Sequence, residues 1–277
     1  MFAGSLTGMA TLILGGKTGH RVLERLQARG IPARAASRST EIPFDWNDRA
    51  TWAPALDGVD AAYIAYVPDL AVPGAAETVA AFADQAVGAG VGRLVLLSGR
   101  GEEEAQRTER LVAEAGAEWT VVRCSWFNQN FSEGFFVDGV VAGELALPVG
   151  DVPEPVVDLE DVADVAVAAL TEDGHAGQVY ELTGPQLLRF DEAVAAIADA
   201  AGRPIAFAPV PMDAFAAALR EHGEDDDVVW LTTYLFTEVL DGRNASLADG
   251  VERALGRPAR SFADYARRVA ASGVWAA

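Results

Sequence analysis

Residues 11–19 read TLILGGKTG, and their interpretation decides that of the whole chain. Thr11 to Leu14 is an unbroken apolar run of the kind carried by a strand buried on both faces. Gly15 and Gly16 end it. Val22, Leu23 and Leu26 then recur at helical spacing across 20–29, and Gly30 stands where a helix-ending glycine belongs. Strand, glycines and helix, in that order, open a βαβ unit.

The pattern repeats outward from there. Strands are predicted at 31–36, 42–45, 61–67, 93–98 and 119–123, and helices at 49–56, 75–89 and 102–115. Such alternation gives right-handed crossovers and a parallel sheet, with ligands beyond the C-terminal ends of the strands. The expected fold class is therefore α/β, a Rossmann-type doubly wound parallel sheet with a smaller C-terminal substrate cap. In the less regular later part, strands are predicted at 156–158, 179–182 and 206–210. Helices are predicted there at 159–170, 190–201, 212–222, 225–240 and 262–271. The expected organisation is an N-terminal extension over 1–10 and a Rossmann-type core over 11–155. Residues 156–277 would hold the remaining core elements and the cap, in one folded unit.

Composition narrows the partners. With 41 acidic and 21 basic residues the net charge is −20, which excludes nucleic acid and anionic membrane surfaces because both require a basic footprint. Cys124 is the only cysteine, so neither an internal disulfide nor a thiolate metal site is possible. His20, His175 and His222 lack metal-ligand spacing, and no metal is expected. The start of the chain lacks the charge and apolar run of a signal peptide, with Met9 a candidate natural start, and no apolar stretch reaches membrane-span length. A cytoplasmic protein, monomer or homodimer, with a small-molecule substrate is expected.

The glycine segment suggests the ligand. A dinucleotide loop needs glycines to turn tightly, to let backbone N–H groups approach a pyrophosphate, and to let helix and strand pack closely. Gly15, Gly16, Lys17, Thr18 and Gly19 are the residues expected to meet the cofactor. Where an acid after the second strand would hold the ribose hydroxyls of NAD, this chain has Ser37 and Arg38. Arg38 suits a bidentate contact with the 2′-phosphate of NADP; the alternative is an ordinary surface arginine.

Six segments carry a wider resemblance. They are Gly16-Lys17-Thr18-Gly19, Phe44-Asp45-Trp46, Leu96-Leu97-Ser98, SWFNQNF from Ser125 to Phe131, VDLEDVA from Val157 to Ala163, and YELTGP from Tyr180 to Pro185. In kind and order they resemble the NmrA-like family of atypical short-chain dehydrogenases, including bacterial NmrA-like reductases and the agroclavine-dehydrogenase type. The resemblance implies an NADP(H)-dependent oxidoreductase acting on an apolar or aromatic small molecule, in secondary metabolism. It implies an adenine contact for Asp45. Relative to the family's G-x-x-G-x-x-G form the loop is two residues shorter. The Tyr-x-x-x-Lys pair of short-chain dehydrogenases is also absent, because Lys17 is the only lysine.

Candidates for the chemistry must therefore come from strand ends. Tyr66, Ser98 and Asn128 are the catalytic candidates: a proton donor, an orienting hydroxyl and an amide for a carbonyl. Arg100 suits an anion or oxyanion, and Ser125, Trp126, Phe127 and Phe131 read as substrate-binding, the aromatics as pocket walls. Each also has a plain structural reading in packing or turns. Two alternatives stay open beside the reductase: a cofactor-independent cyclase, isomerase or dehydratase using the degenerate cleft, and a non-catalytic NAD(P) sensor.

Overall fold

The computed structural model describes residues 9–276; the expected N-terminal extension lies outside the described residues except for Met9 and Ala10. In chain order the first elements are β1 (Ala10–Leu14), α1 (Lys17–Ala28), β2 (Ala33–Ala36), α2 (Trp52–Leu56) and β3 (Val59–Ile64). Then come α3 (Ala75–Gly88), β4 (Arg93–Gly99), α4 (Glu103–Glu114), β5 (Glu118–Cys124), α5 (Asn130–Glu133), α6 (Val137–Ala142) and β6 (Glu144–Leu147). The last are α7 (Leu159–Thr171), β7 (Gln178–Leu182), α8 (Phe190–Ala201), β8 (Ala206–Pro209), α9 (Met212–Glu221), α10 (Asp226–Tyr234), α11 (Gly250–Leu255) and α12 (Phe262–Ser272).

Six strands form one parallel sheet in the order β2-β1-β3-β4-β5-β7. β1 lies parallel to β2 on one side and β3 on the other, so the switch point of the sheet falls at the end of β1. That is where Gly15 and Gly16 sit, and it is where such sheets bind ligands. The fold is the expected Rossmann type.

Contacts divide the chain into two units: residues 9–123, 162–180 and 253–256 form one, and 124–161, 181–252 and 257–276 the other. No single break at 155 separates them, because α7 returns to the first unit. There Asp164 pairs with Arg25 Nε at 2.7 Å, and the Leu170 carbonyl accepts from Arg93 at 3.1 Å. In the first unit, Leu12 and Leu14 of β1, Ala62 and Ile64 of β3 and Leu94 and Leu96 of β4 share a core with Trp52, Val79 and Phe82 from the helices. The two-residue period of each strand puts these side chains on one face. The core of the second unit is aromatic: Phe131, Phe136, Phe190, Phe262, Tyr265 and Trp275 are buried together. A two-stranded parallel pair, β6 with β8, belongs to it.

Some expected elements differ. Segment 42–45 is no strand: it makes only the isolated bridges Ser37↔Pro43 and Asp45↔Asp48. Pro43 has no N–H for a ladder, and Thr40 Oγ1 bonds the carbonyls of Ser37 and Ile42 into a turn. Segment 156–158 makes one bridge, Phe127↔Val157. The helix predicted to 240 ends at Tyr234 and continues as a π-helical turn, Leu235–Val239. α5, α6, β6 and α11 are too short for periodicity to reveal. Among the described residues no helix is long and apolar enough to cross a membrane, and no cluster of histidine, cysteine or acid could hold a metal ion.

Candidate functional site

In the first unit, only Gly15 and Gly16 separate β1 from α1, whose predicted start at residue 20 moves forward to Lys17. Gly15 has φ +115°, and any side chain there would collide with Ala65. Gly19 is the close-packing glycine, since a Cβ on it would stand 3.1 Å from Ile13 Cγ2. Packing of Gly19 against β1 is what allows the helix to begin so early. Gly16 differs from both: a Cβ on it would meet nothing within 4 Å. The first intrahelical bond runs from His20 N to the Gly16 carbonyl at 2.9 Å, so the N–H groups of the first turn have no acceptor within the helix. Lys17 is exposed beside them and Thr18 is buried. The opening over Gly16 together with the positive end of α1 fits a phosphate group, although the turn is short.

Register brings the loop after β2 alongside, because Leu14 pairs with Ala36. Ser37 to Thr40 is a self-contained turn: Ser37 N donates to Thr40 Oγ1 at 2.8 Å, and Ser39 N to Ser37 Oγ at 3.3 Å. Arg38 projects from it, exposed, and no hydrogen bond or ion pair ties it to the described residues. Asp45 has a structural task. Its carboxylate accepts from Asn47 N at 2.9 Å, and its carbonyl accepts from Trp52 Nε1 at 2.9 Å. Trp46 packs among Phe44, Trp52, Phe82 and Tyr66 at ring distances of 4.8 to 6.3 Å.

At the ends of β3 and β4 the candidates separate. Tyr66 is half-buried against Trp46, and burial raises its phenol above the ordinary value of 10.0. Ser98 is buried, and its hydroxyl donates to Glu109 Oε1 at 2.6 Å, while Glu109 also pairs with Arg123. The Ser98 proton is thus committed to an interior carboxylate, which corrects its reading as an orienting hydroxyl. Arg100 is buried.

Two acids escaped the sequence reading. Glu102 opens α4, where an acid ordinarily complements the helix N-terminus, but its carboxyl makes no cap bond. It lies instead where a side chain on Gly99 would be, hydrogen-bonded to Asp69. Burial and the neighbouring carboxyls of Asp69 and Glu109 hold Glu102 well above its ordinary value of 4.5, and burial raises Asp69 as well. The bare glycine at 99 was the available signal. The pairing of residues 69 and 102 needs the sheet.

In the second unit, SWFNQNF is mostly consumed by packing. Ser125 Oγ donates to the Pro155 carbonyl at 2.6 Å, so it fastens the backbone and has no free donor for a substrate. Phe131 is buried among Phe136, Phe190 and Phe262, a core residue and not a pocket wall. Trp126 is partly exposed and packs on Phe236 at 5.1 Å; Phe127 is partly exposed too. Asn128 is fully buried, and neither atom of its amide head has a partner among the described residues.

The family model for NAD(P)H-binding proteins matches residues 15–173. The chain is 30% identical to an NAD(P)H azoreductase of Xenophilus azovorans, over 94% of this chain and 98% of that protein. It is 32% identical to a "(4-alkanoyl-5-oxo-2,5-dihydrofuran-3-yl)methyl phosphate reductase" of Streptomyces griseus, over 90% and 93%. Among solved structures, an NADPH-dependent quinone oxidoreductase of Escherichia coli in complex with NADPH superposes with a TM-score of 0.78 at 22% identity, covering 94% of this chain and 99% of that one.

Proposed function

The chain belongs to the NmrA-like, NAD(P)H-binding family of atypical short-chain dehydrogenases, and from that premise we propose that it is an NADPH-dependent reductase of apolar or aromatic small molecules. The observation that carries this reading is Arg38, exposed and without a partner among the described residues, in the loop beside the open N-terminus of α1. The backbone at Gly16 to Gly19, with Lys17, would hold the pyrophosphate. Arg38 would take the 2′-phosphate, with Ser37 and Ser39 beside it. When bound, the nicotinamide supplies hydride.

The residues supply the rest. Trp126 and Phe127 offer apolar surface to a substrate, and Arg100 a positive charge. Tyr66 carries a phenolic proton at any ordinary pH. Glu102 retains its proton to higher pH than a free carboxyl, and it is a proton source in a chain without the Tyr–Lys pair. The two-residue turn is the observation that favours the cofactor-free isomerase or dehydratase instead.

Titration with NADPH and NADH separates these readings. Arg38→Ala should weaken NADPH about tenfold or more and leave NADH unchanged. A protein that binds neither dinucleotide is not this reductase.

A further inference from the structure

Asn128 and Gln129 are adjacent buried amides with opposite fates. Gln129 is satisfied at both ends: its Nε2 donates to Asp158 Oδ1 at 2.7 Å, and its Oε1 accepts from Leu159 N at 2.9 Å. Asn128 is held just as firmly by its backbone. Its N–H donates to the Val157 carbonyl at 2.9 Å, and its own carbonyl accepts from Phe131 N at 3.1 Å. Yet its Nδ2 and Oδ1, on a residue with 0% exposure, meet no partner among the described residues. Buried polar groups in folded proteins are nearly always paired, and leaving two unpaired costs stability. The same frame thus satisfies one amide and strands its neighbour, which a group offering both an acceptor and a donor would complete.

We propose that the Asn128 head receives a carboxamide-type group. An amide presents a donor and an acceptor side by side, and only a partner with an acceptor and a donor in the same arrangement satisfies both. A ketone or quinone oxygen would answer Nδ2 and leave Oδ1 bare. The proposal rests on the reductase reading for one of two sources of that group, the carboxamide of the nicotinamide ring. The other source is an aromatic amide substrate meeting the partly exposed Trp126 and Phe127.

Two matched pairs of probes exchange the amide NH2 for CH3: NADP+ against its 3-acetylpyridine analogue, and benzamide against acetophenone. Calorimetric titration of the unmodified protein should show a preference of about tenfold for the amide in one pair, and that pair names the source. Asn128→Leu should abolish the preference while binding of adenosine 2′,5′-bisphosphate stays unchanged. Its ligand-free Tm should rise by about 2–4 °C, because two stranded polar atoms are gone. Absence of preference in both pairs overturns the proposal, and so does a lower Tm for Asn128→Leu, which would mean that internal water already completes the amide. The probe comparison needs no variant and survives a folding defect. Failure of NADPH and the bisphosphate to bind the unmodified protein would sink the reductase reading alone, since the Tm comparison requires no cofactor.

Discussion

Asp158 and Asp161 in the second unit and Glu102 in the first are buried acids, and Asp69 beside Glu102 is partly buried, but their surroundings differ in sign. Asp161 is fully buried and is met by Arg257 Nη1 at 2.7 Å, by the Arg260 guanidinium, and by Arg260 N at 2.7 Å. Asp158, equally buried, has Arg268 at 2.7 Å and Gln129 at 2.7 Å. Asp69 accepts from Ala71 N at 2.8 Å, but among the described residues no cation meets it or Glu102, and the two carboxyls face each other. Compensated acids tie segments together: residues 158 and 161 fasten the stretch 257–268 to the start of α7. An acid facing an acid weakens the fold at neutral pH, and such a pair persists where something other than stability is served.

The largest test of the contrast is Asp161→Asn. It leaves Arg257 and Arg260 without their buried counter-charge, and breaking such a pair costs about 3 kcal/mol. Thermal unfolding should move down by roughly 10 °C. An unchanged Tm would mean that these arginines are served by solvent, and the contrast would dissolve.

Glu102→Gln should act in the opposite direction and more weakly. Below the ordinary value of 4.5 the carboxyl is protonated in folded and unfolded chains alike, and it costs nothing. As pH rises past that value the unfolded chain ionises first, so the folded state loses relative stability until its own raised value is passed. The variant should therefore match the parent near pH 4 and exceed it by a few degrees at pH 7.5, read from Tm across pH. A variant less stable at pH 7.5 would show that the Glu102 charge is compensated.

The smallest expected effect is that of Ser98→Ala. It removes one donor from Glu109, which keeps Arg123 at 2.9 Å, and should cost about 1 kcal/mol in denaturant unfolding without altering NADPH affinity. A selective loss of substrate affinity would restore Ser98 to the binding surface.

Legibility in the sequence followed the range of the interactions. β1, β4, β5, α3, α4 and α8 were readable because each carries its own periodicity and its own terminating residues. Segment 42–45 was misread because an apolar stretch reads as a strand until Pro43 and the Thr40 turn deny it a ladder. His175 follows the polar run Glu172-Asp173-Gly174, whose composition suits an exposed turn, yet its ring is buried, with Nδ1 2.9 Å from the Tyr180 hydroxyl. In the SWFNQNF segment, the distinctiveness of Ser125 and Phe131 reflects packing. Asn128 differs from these neighbours in that its amide head has no partner among the described residues.

By itself, then, the sequence determined the class of the fold and the place of the glycine turn after β1, because strand and helix periods and glycine stops are local properties of the chain. It also marked Arg38, since one residue type at one strand end suffices. Tertiary structure alone decided which polar side chains were already spent. Ser98 on Glu109, Ser125 on Pro155 and Gln129 on Asp158 are bonds across 11, 30 and 29 residues. So is the facing of Asp69 and Glu102, and the solitude of Asn128. Whether a polar group is satisfied depends on what the fold brings to it, and no spacing along the chain records that.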